Sequence, residues 1–134
     1  MSEFKQAEHF GCDQCWPESA EAAWHARSGL TQIQELIDES HFHVTILACA
    51  ECDQRFVSVF TETIDWTDGE DPQCWMLVPV TEAESRSLMQ HRGTLTEPDL
   101  NSLGAGRRCL QRDHPKTSPA RVLWRTGIFV GAHN

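Results

Sequence analysis

An α+β fold, with an antiparallel sheet of three or more strands and a long N-terminal helix, is what the 134-residue sequence predicts. Three features predict it. Two Cys-x-x-Cys turns, Cys12-Asp13-Gln14-Cys15 and Cys49-Ala50-Glu51-Cys52, have 33 residues between them. Between them Ala22, Ala26, Leu30, Ile33 and Ile37 recur at steps of three and four, the spacing of one buried helical stripe. Around the second turn lie two β-rich runs, Phe42-His43-Val44-Thr45-Ile46-Leu47-Ala48 and Arg55-Phe56-Val57-Ser58-Val59-Phe60-Thr61. The length suits one domain over residues 1–134, large enough to bury a core and small enough for a metal staple to matter.

Two thiolates two residues apart turn back onto one ion, and two such pairs complete the tetrahedral four-sulfur shell of structural Zn²⁺. Cys12, Cys15, Cys49 and Cys52 are therefore the expected ligands. Six cysteines also admit three disulfides, so the compartment matters. No run approaches the roughly 18 apolar residues of a membrane span, and the start Met1-Ser2-Glu3-Phe4-Lys5-Gln6 lacks the basic and apolar regions of a secretory signal. The expected location is the cytoplasm, where such pairs bind metal or do redox chemistry. A thioredoxin-like reading needs one pair at the start of a helix in a βαβ setting; no strand precedes Cys12, and the second pair would go unexplained. One zinc site explains both. Cys74 and Cys109 are left as small core hydrophobes, and His9, His41 and His43 as the nearest substitute ligands.

The elements follow in order. Residues through His9-Phe10-Gly11 read as an extended lead into the first turn, which Trp16-Pro17 closes. Pro17, with Glu18 and Glu21 suited to the positive end of a helix dipole, starts a helix over about 17–39, with a possible break at Gly29. The two runs around the second turn are strands with apolar residues on both faces, so the sheet is covered on one side and partly on the other. A third strand spans Cys74–Val80, with Pro79 placing it at an edge or an end. Thr81-Glu82-Ala83-Glu84 is a capping box opening a helix to about His91, and Thr96-Glu97-Pro98-Asp99 repeats the device for a short helix ending at Gly104. Val122-Leu123-Trp124-Arg125 and Ile128-Phe129-Val130 are strands or a closing hairpin bent at Thr126-Gly127, docked on the core.

The second cysteine turn, at the tip of a hairpin, resembles the metal knuckle of zinc-ribbon and treble-clef-like zinc modules. The resemblance covers a small part of the chain. The gap between the pairs exceeds the roughly 15 to 20 residues of a compact four-cysteine site and is expected to hold a helix that simple ribbons lack. The resemblance implies the metal site and carries over no family activity.

The net charge of −9 is unevenly spread: residues 1–84 carry 17 acidic and 3 basic side chains, residues 85–134 carry 3 and 8. The two parts either neutralise each other within the fold or make a bipolar surface. The segment 61–72 holds five carboxylates, Glu62, Asp65, Asp68, Glu70 and Asp71, around Trp66 and no basic residue. Its acidic positions do not follow a Ca²⁺-loop pattern. It reads as a solvated connection or as a docking loop, in which Trp66 anchors and the carboxylates steer a cationic partner. With no G-x-S-x-G, H-E-x-x-H or glycine-rich phosphate loop, the expectation is a non-catalytic zinc-binding interaction module. It would be an inhibitor or an immunity or antitoxin-type protein masking a basic partner surface, such as a toxin's. The alternative is a nucleic-acid-associated zinc-ribbon protein acting in transcription or RNA processing. Both cysteine turns are acidic (Asp13, Glu18, Glu51, Asp53), so phosphate contacts would fall to Arg107, Arg108 and Arg112.

Overall fold

Runs of alternating apolar residues from Phe42 to Val80 pair in succession and make the centre of a six-stranded antiparallel sheet with the order β1-β2-β3-β4-β5-β6. The computed structural model describes residues 9–134, so the expected lead over residues 1–8 lies outside the described part. The strands are β1 (Thr31–Glu39), β2 (Phe42–Ala48), β3 (Arg55–Glu62), β4 (Gln73–Val80), β5 (Arg108–His114) and β6 (Arg121–Thr126). Each pairs with the next in sequence, so short connections suffice.

Both faces of the sheet are apolar. On one, Val44, Ile46, Val57, Val59, Met76 and Val78 form the larger core with Leu88, Leu100 and Ile128. These last three come from α2 (Glu82–Gln90), α3 (Glu97–Asn101) and the segment after β6. On the other, Phe56, Leu77 and Leu110 pack with Cys15, Cys49 and Ala23. Ala23 lies on α1 (Ala20–Ala26), whose first turn is capped by the Ser19 hydroxyl accepting from the Ala22 amide.

The long helix expected over 17–39 does not form. Ten residues of helix, α1 and a 3-10 turn over Arg27–Gly29, give way to the nine-residue strand β1. The helix-like spacing of Leu30, Ile33 and Ile37 has a different origin. β1 shifts register against β2 between Gln32 and Gln34 and again between Glu35 and Ile37, so one extra residue is inserted at each place. A bulge of this kind breaks the two-residue alternation of a strand and produces steps of three. Leu36 is buried while Ile33 is 40% exposed, the reverse of the expected stripe. The β-branched Thr31, Ile33 and Ile37 favour the strand, and Gly29 ends the helix.

The remaining expectations fare better. β2, β3 and β4 coincide with the three expected strands, and α2 and α3 each carry a complete capping box, on Thr81 with Glu84 and on Thr96 with Asp99. Only one of the two C-terminal runs is a strand: Ile128-Phe129-Val130 leaves the sheet after Gly127, whose φ is +80°. The Asn101 carboxamide oxygen accepts from the Val130 amide at 2.8 Å, and His133 stacks on Phe42 at 4.4 Å. The end of the chain is thereby laid over the α3 side of the core.

Glu84 does more than cap. Its carboxylate accepts from Arg107 at 2.7 and 3.0 Å and from the Thr81 amide at 2.8 Å. Burial pushes its pKa up, but the Arg107 and Thr81 donors outweigh this and hold it below the ordinary glutamate range. A carboxyl with a depressed folded pKa stabilises the fold above its unfolded value of about 4.3, and that stabilisation disappears as pH falls through the lower folded value. Glu84→Gln is therefore expected to lower the urea midpoint at pH 7, with the difference from wild type shrinking towards pH 3. A second pair of variants tests β1. Leu36→Ala is expected to cost about 2–5 kcal/mol and Ile33→Thr to stay within about 0.5 kcal/mol, measured by denaturant unfolding; the reverse ranking would restore the helical stripe.

Candidate metal centre

The first cysteine turn is built on a glycine. Gly11 has φ +74°, and a Cβ there would lie 2.6 Å from Trp16 Cβ and 3.0 Å from Cys15 Sγ, so no other residue fits without displacing a ligand sulfur. The Trp16 amide donates to the Cys12 carbonyl at 2.8 Å and closes the turn. The Trp16 indole then packs on Phe56 (5.2 Å) and Trp124 (4.9 Å), fixing the turn to the sheet. The second turn joins β2 to β3. Cys49 and Asp53 close it through an amide-to-carbonyl bond of 2.9 Å, with Asp53 at φ +65°. Gln54 ties the two together. Its carboxamide oxygen accepts from the Gly11 amide at 2.9 Å, while its nitrogen donates to the Val80 and Arg55 carbonyls at 2.8 and 2.9 Å.

These supports bring the four sulfurs to one point. Cys12 lies 3.9 Å from Cys15 and 3.9 Å from Cys49, and Cys15 lies 3.8 Å from Cys52. All four fall within 4.8 Å of one another. A tetrahedron with metal–sulfur bonds of about 2.3 Å has edges of about 3.8 Å, whereas a disulfide would hold its sulfurs at about 2.05 Å. The cluster is thus compatible with a tetrahedral metal ion such as zinc, and all six cysteines are free thiols. Backbone amides point at the sulfurs, the Cys12 amide at Cys15 Sγ and the Glu51 amide at Cys49 Sγ, each at 3.3 Å. Cys12 is drawn down to about 7, chiefly by the Cys15 amide. Burial pushes Cys15 and Cys52 the other way. Amide donors alone therefore do not charge the whole set, and a dication bound among the sulfurs would supply what they lack.

The two remaining cysteines and two of the three substitute histidines have partners elsewhere. Cys74 is 3.6 Å from Gln111 Nε2, Cys109 is fully buried and pushed up to about 11 by that burial, His41 contacts Glu62 at 3.1 Å, and His43 contacts Asp38. His9 lines an open cavity beside Cys52.

The acidic loop divides its carboxylates. Asp65 Oδ1 accepts from the Thr67 and Asp68 amides at 3.1 and 3.2 Å, Asp65 Oδ2 from the Glu70 amide at 3.2 Å, and Asp71 from the Asp65 amide at 2.8 Å. Burial pushes Asp65 up, but the Asp68 amide, Lys116 and the Glu70 amide outweigh it and hold the group below the ordinary aspartate range. Glu62 is likewise held down, first by the Gln73 carboxamide at 2.8 Å and then by His41. Glu62, Asp65 and Asp71 therefore build the loop. Trp66 is 84% exposed, with Asp68 and Glu70 exposed beside it. Lys116, from the connection after β5, pairs with Asp65 and Asp68 at 3.2 and 3.0 Å.

The arginines proposed for phosphate are largely occupied. Arg107 pairs with Glu84 at 2.7 Å, Arg112 lies 5.2 Å from the rings of Trp24 and Trp75, and Arg108 stacks 3.8 Å from Trp124. Reading the sequence missed Gln54, which carries no local motif, and Lys116, which the acidic loop recruits from 45 or more positions away.

Fold and site together define an antiparallel six-stranded meander with a four-cysteine cluster at one end of its sheet. No known protein family, curated protein or solved structure matches the chain. No helix among the described residues is long and apolar enough to cross a membrane. Cys49→Ser is expected to release the metal and remove most of a stability of about 5–15 kcal/mol, whereas Cys109→Ser keeps the metal; elemental analysis and thermal melting of the two purified variants decide it, and equal effects would count against the ligand set.

Proposed function

We propose that the chain is a non-catalytic, zinc-stabilised protein-interaction module of the inhibitor or immunity type, which masks a basic surface on its partner. Zn²⁺ on Cys12, Cys15, Cys49 and Cys52 has a structural role in this reading, because four protein sulfurs leave no position for a reacting water. Thiolate ligation of this kind suits a reducing compartment such as the cytoplasm.

The observation that carries the reading is Trp66. A large indole 84% exposed normally costs solubility, and here it sits on a loop whose backbone is already fixed by Asp65 and Asp71. A pre-ordered anchor loses little freedom on binding, and tryptophan is enriched among the residues that dominate interface energies. Glu70, exposed a few residues further along the loop, favours encounter with a cationic surface. The engagement of Arg107 and Arg112 within the fold leaves nucleic acid the weaker reading.

Affinity capture with the full chain as bait, on nuclease-treated lysate, tests this. A protein partner is expected to remain bound after nuclease, to lose about 2 kcal/mol or roughly thirtyfold in affinity on Trp66→Ala, and to bind more weakly at high salt. Capture that vanishes with nuclease and responds to Arg108→Glu instead would move the assignment to nucleic acid.

A further inference from the structure

The bulge at Leu36 has an effect beyond the path of β1. Residues three apart on a regular strand point to opposite faces, but the inserted residue brings Glu35 and Asp38 onto the same one. Glu35 stands opposite Thr45 and Asp38 opposite His43, and directly opposed residues of an antiparallel pair share a face. The carboxylates of Glu35 and Asp38 and the imidazole of His43 converge so that one ligand atom from each lies within 4.8 Å of the others. His43 Nδ1 is 3.2 Å from Asp38 Oδ1. The imidazole also lies beside the Phe60 ring, at 5.7 Å between ring centres and tilted by 34°. Among the described residues the Glu35 carboxylate has no cationic or hydrogen-bonding partner. Two carboxylates are thus held together with a single imidazole between them and no fixed positive charge.

We propose that Glu35, Asp38 and His43 form a second metal site, for a divalent first-row transition ion, open on its solvent side. Imidazole with carboxylate oxygens is a donor set suited to such ions and unlike the thiolate set of the four-cysteine cluster. Three protein ligands leave coordination positions for water or for a donor from a docked molecule, and the edge strand supplies the access. The two sites differ in role as well as chemistry: the sulfur site is closed and holds the fold, the oxygen and nitrogen site is accessible and exchanges its ion. The inference does not rest on the proposed partner function.

The test uses zinc-loaded full-length protein titrated with Ni²⁺ alone, read by equilibrium dialysis with elemental analysis and by paramagnetic broadening of histidine ring resonances. One equivalent of Ni²⁺ is expected beside the retained zinc, with the His43 ring broadened first. His43→Ala, Asp38→Asn and Glu35→Gln are each expected to weaken Ni²⁺ binding by about tenfold or more, while the zinc content and the far-ultraviolet spectrum stay unchanged. No bound Ni²⁺, or binding that survives His43→Ala because another histidine holds it, overturns the proposal. Loss of zinc with intact Ni²⁺ binding would fault the four-cysteine reading alone.

Discussion

The structure depends on a tether between two places 37 residues apart in the chain: the turn at Cys12 and Cys15 must sit on the turn at Cys49 and Cys52. Closing such a loop has an entropic cost that grows only slowly with its length, but it falls on a segment with little helix and a bulged strand, which has few local means of meeting it. Four sulfurs spaced for one ion, with Gln54 bonding the Gly11 amide at 2.9 Å, supply the closure. Everything on that face follows from it. Trp16 is carried onto Phe56 and Trp124, and α1 is set where Ala23 is almost wholly buried. Phe56, Leu77 and Leu110 are thereby covered by the N-terminal part of the chain, which Arg27 and Trp24 also hold to the sheet through Ser58 and Trp75.

The opposite face is held by different means. Leu88, Leu100 and Ile128 reach it from elements that follow the sheet's centre, and each of α2 and α3 is started by its own capping box. Local hydrogen bonding and apolar burial suffice there. On the tethered face the cover is incomplete, and the sheet carries a transverse row instead: Asp38, His43, Phe60, Trp75 and Arg112 stand in register across five strands. Charge lies at the two ends of the row and aromatic rings in the middle. Arg112 closes one end against Trp24 and Trp75, so part of the basic charge of the C-terminal segment is spent inside the fold. The pairing of Arg107 with Glu84 and of Lys116 with Asp65 and Asp68 does the same elsewhere.

How much of this was legible in the sequence depended on whether the signal was local. The two cysteine turns, the alternation in β2, β3 and β4, and the capping boxes at Thr81 and Thr96 are each complete within a few residues, and each was readable. β1 was not, because its two bulges convert a strand's alternation into steps of three that imitate a helix, and only the pairing with β2 reveals them. β5 was hidden for a related reason. Arg108, Arg112 and Asp113 interrupt its apolar pattern, and those arginines are drawn over Trp124, Trp24 and Trp75, contacts that exist only once the sheet has formed. Cys109, Leu110 and Gln111 are buried between them.

The acidic loop shows why composition alone overstates a binding surface. A loop of this length exposes backbone amides that need acceptors; here carboxylates accept from those of Asp65, Thr67, Asp68 and Glu70, and backbone carbonyls from those of Thr63 and Gly69. Asp65 takes three amides, Asp71 one and Glu62 the Gln73 carboxamide, so three of the five carboxylates are engaged in holding the loop. The remainder is smaller but better placed, because the same bonds that consume Asp65 fix the backbone on either side of Trp66. An anchor residue needs a rigid mount more than it needs surrounding charge, since ordering a mobile loop would offset much of what the indole contributes on burial. In the proposed reading, the charge that built the loop would serve binding indirectly, by holding still Trp66, the most exposed large apolar side chain among the described residues.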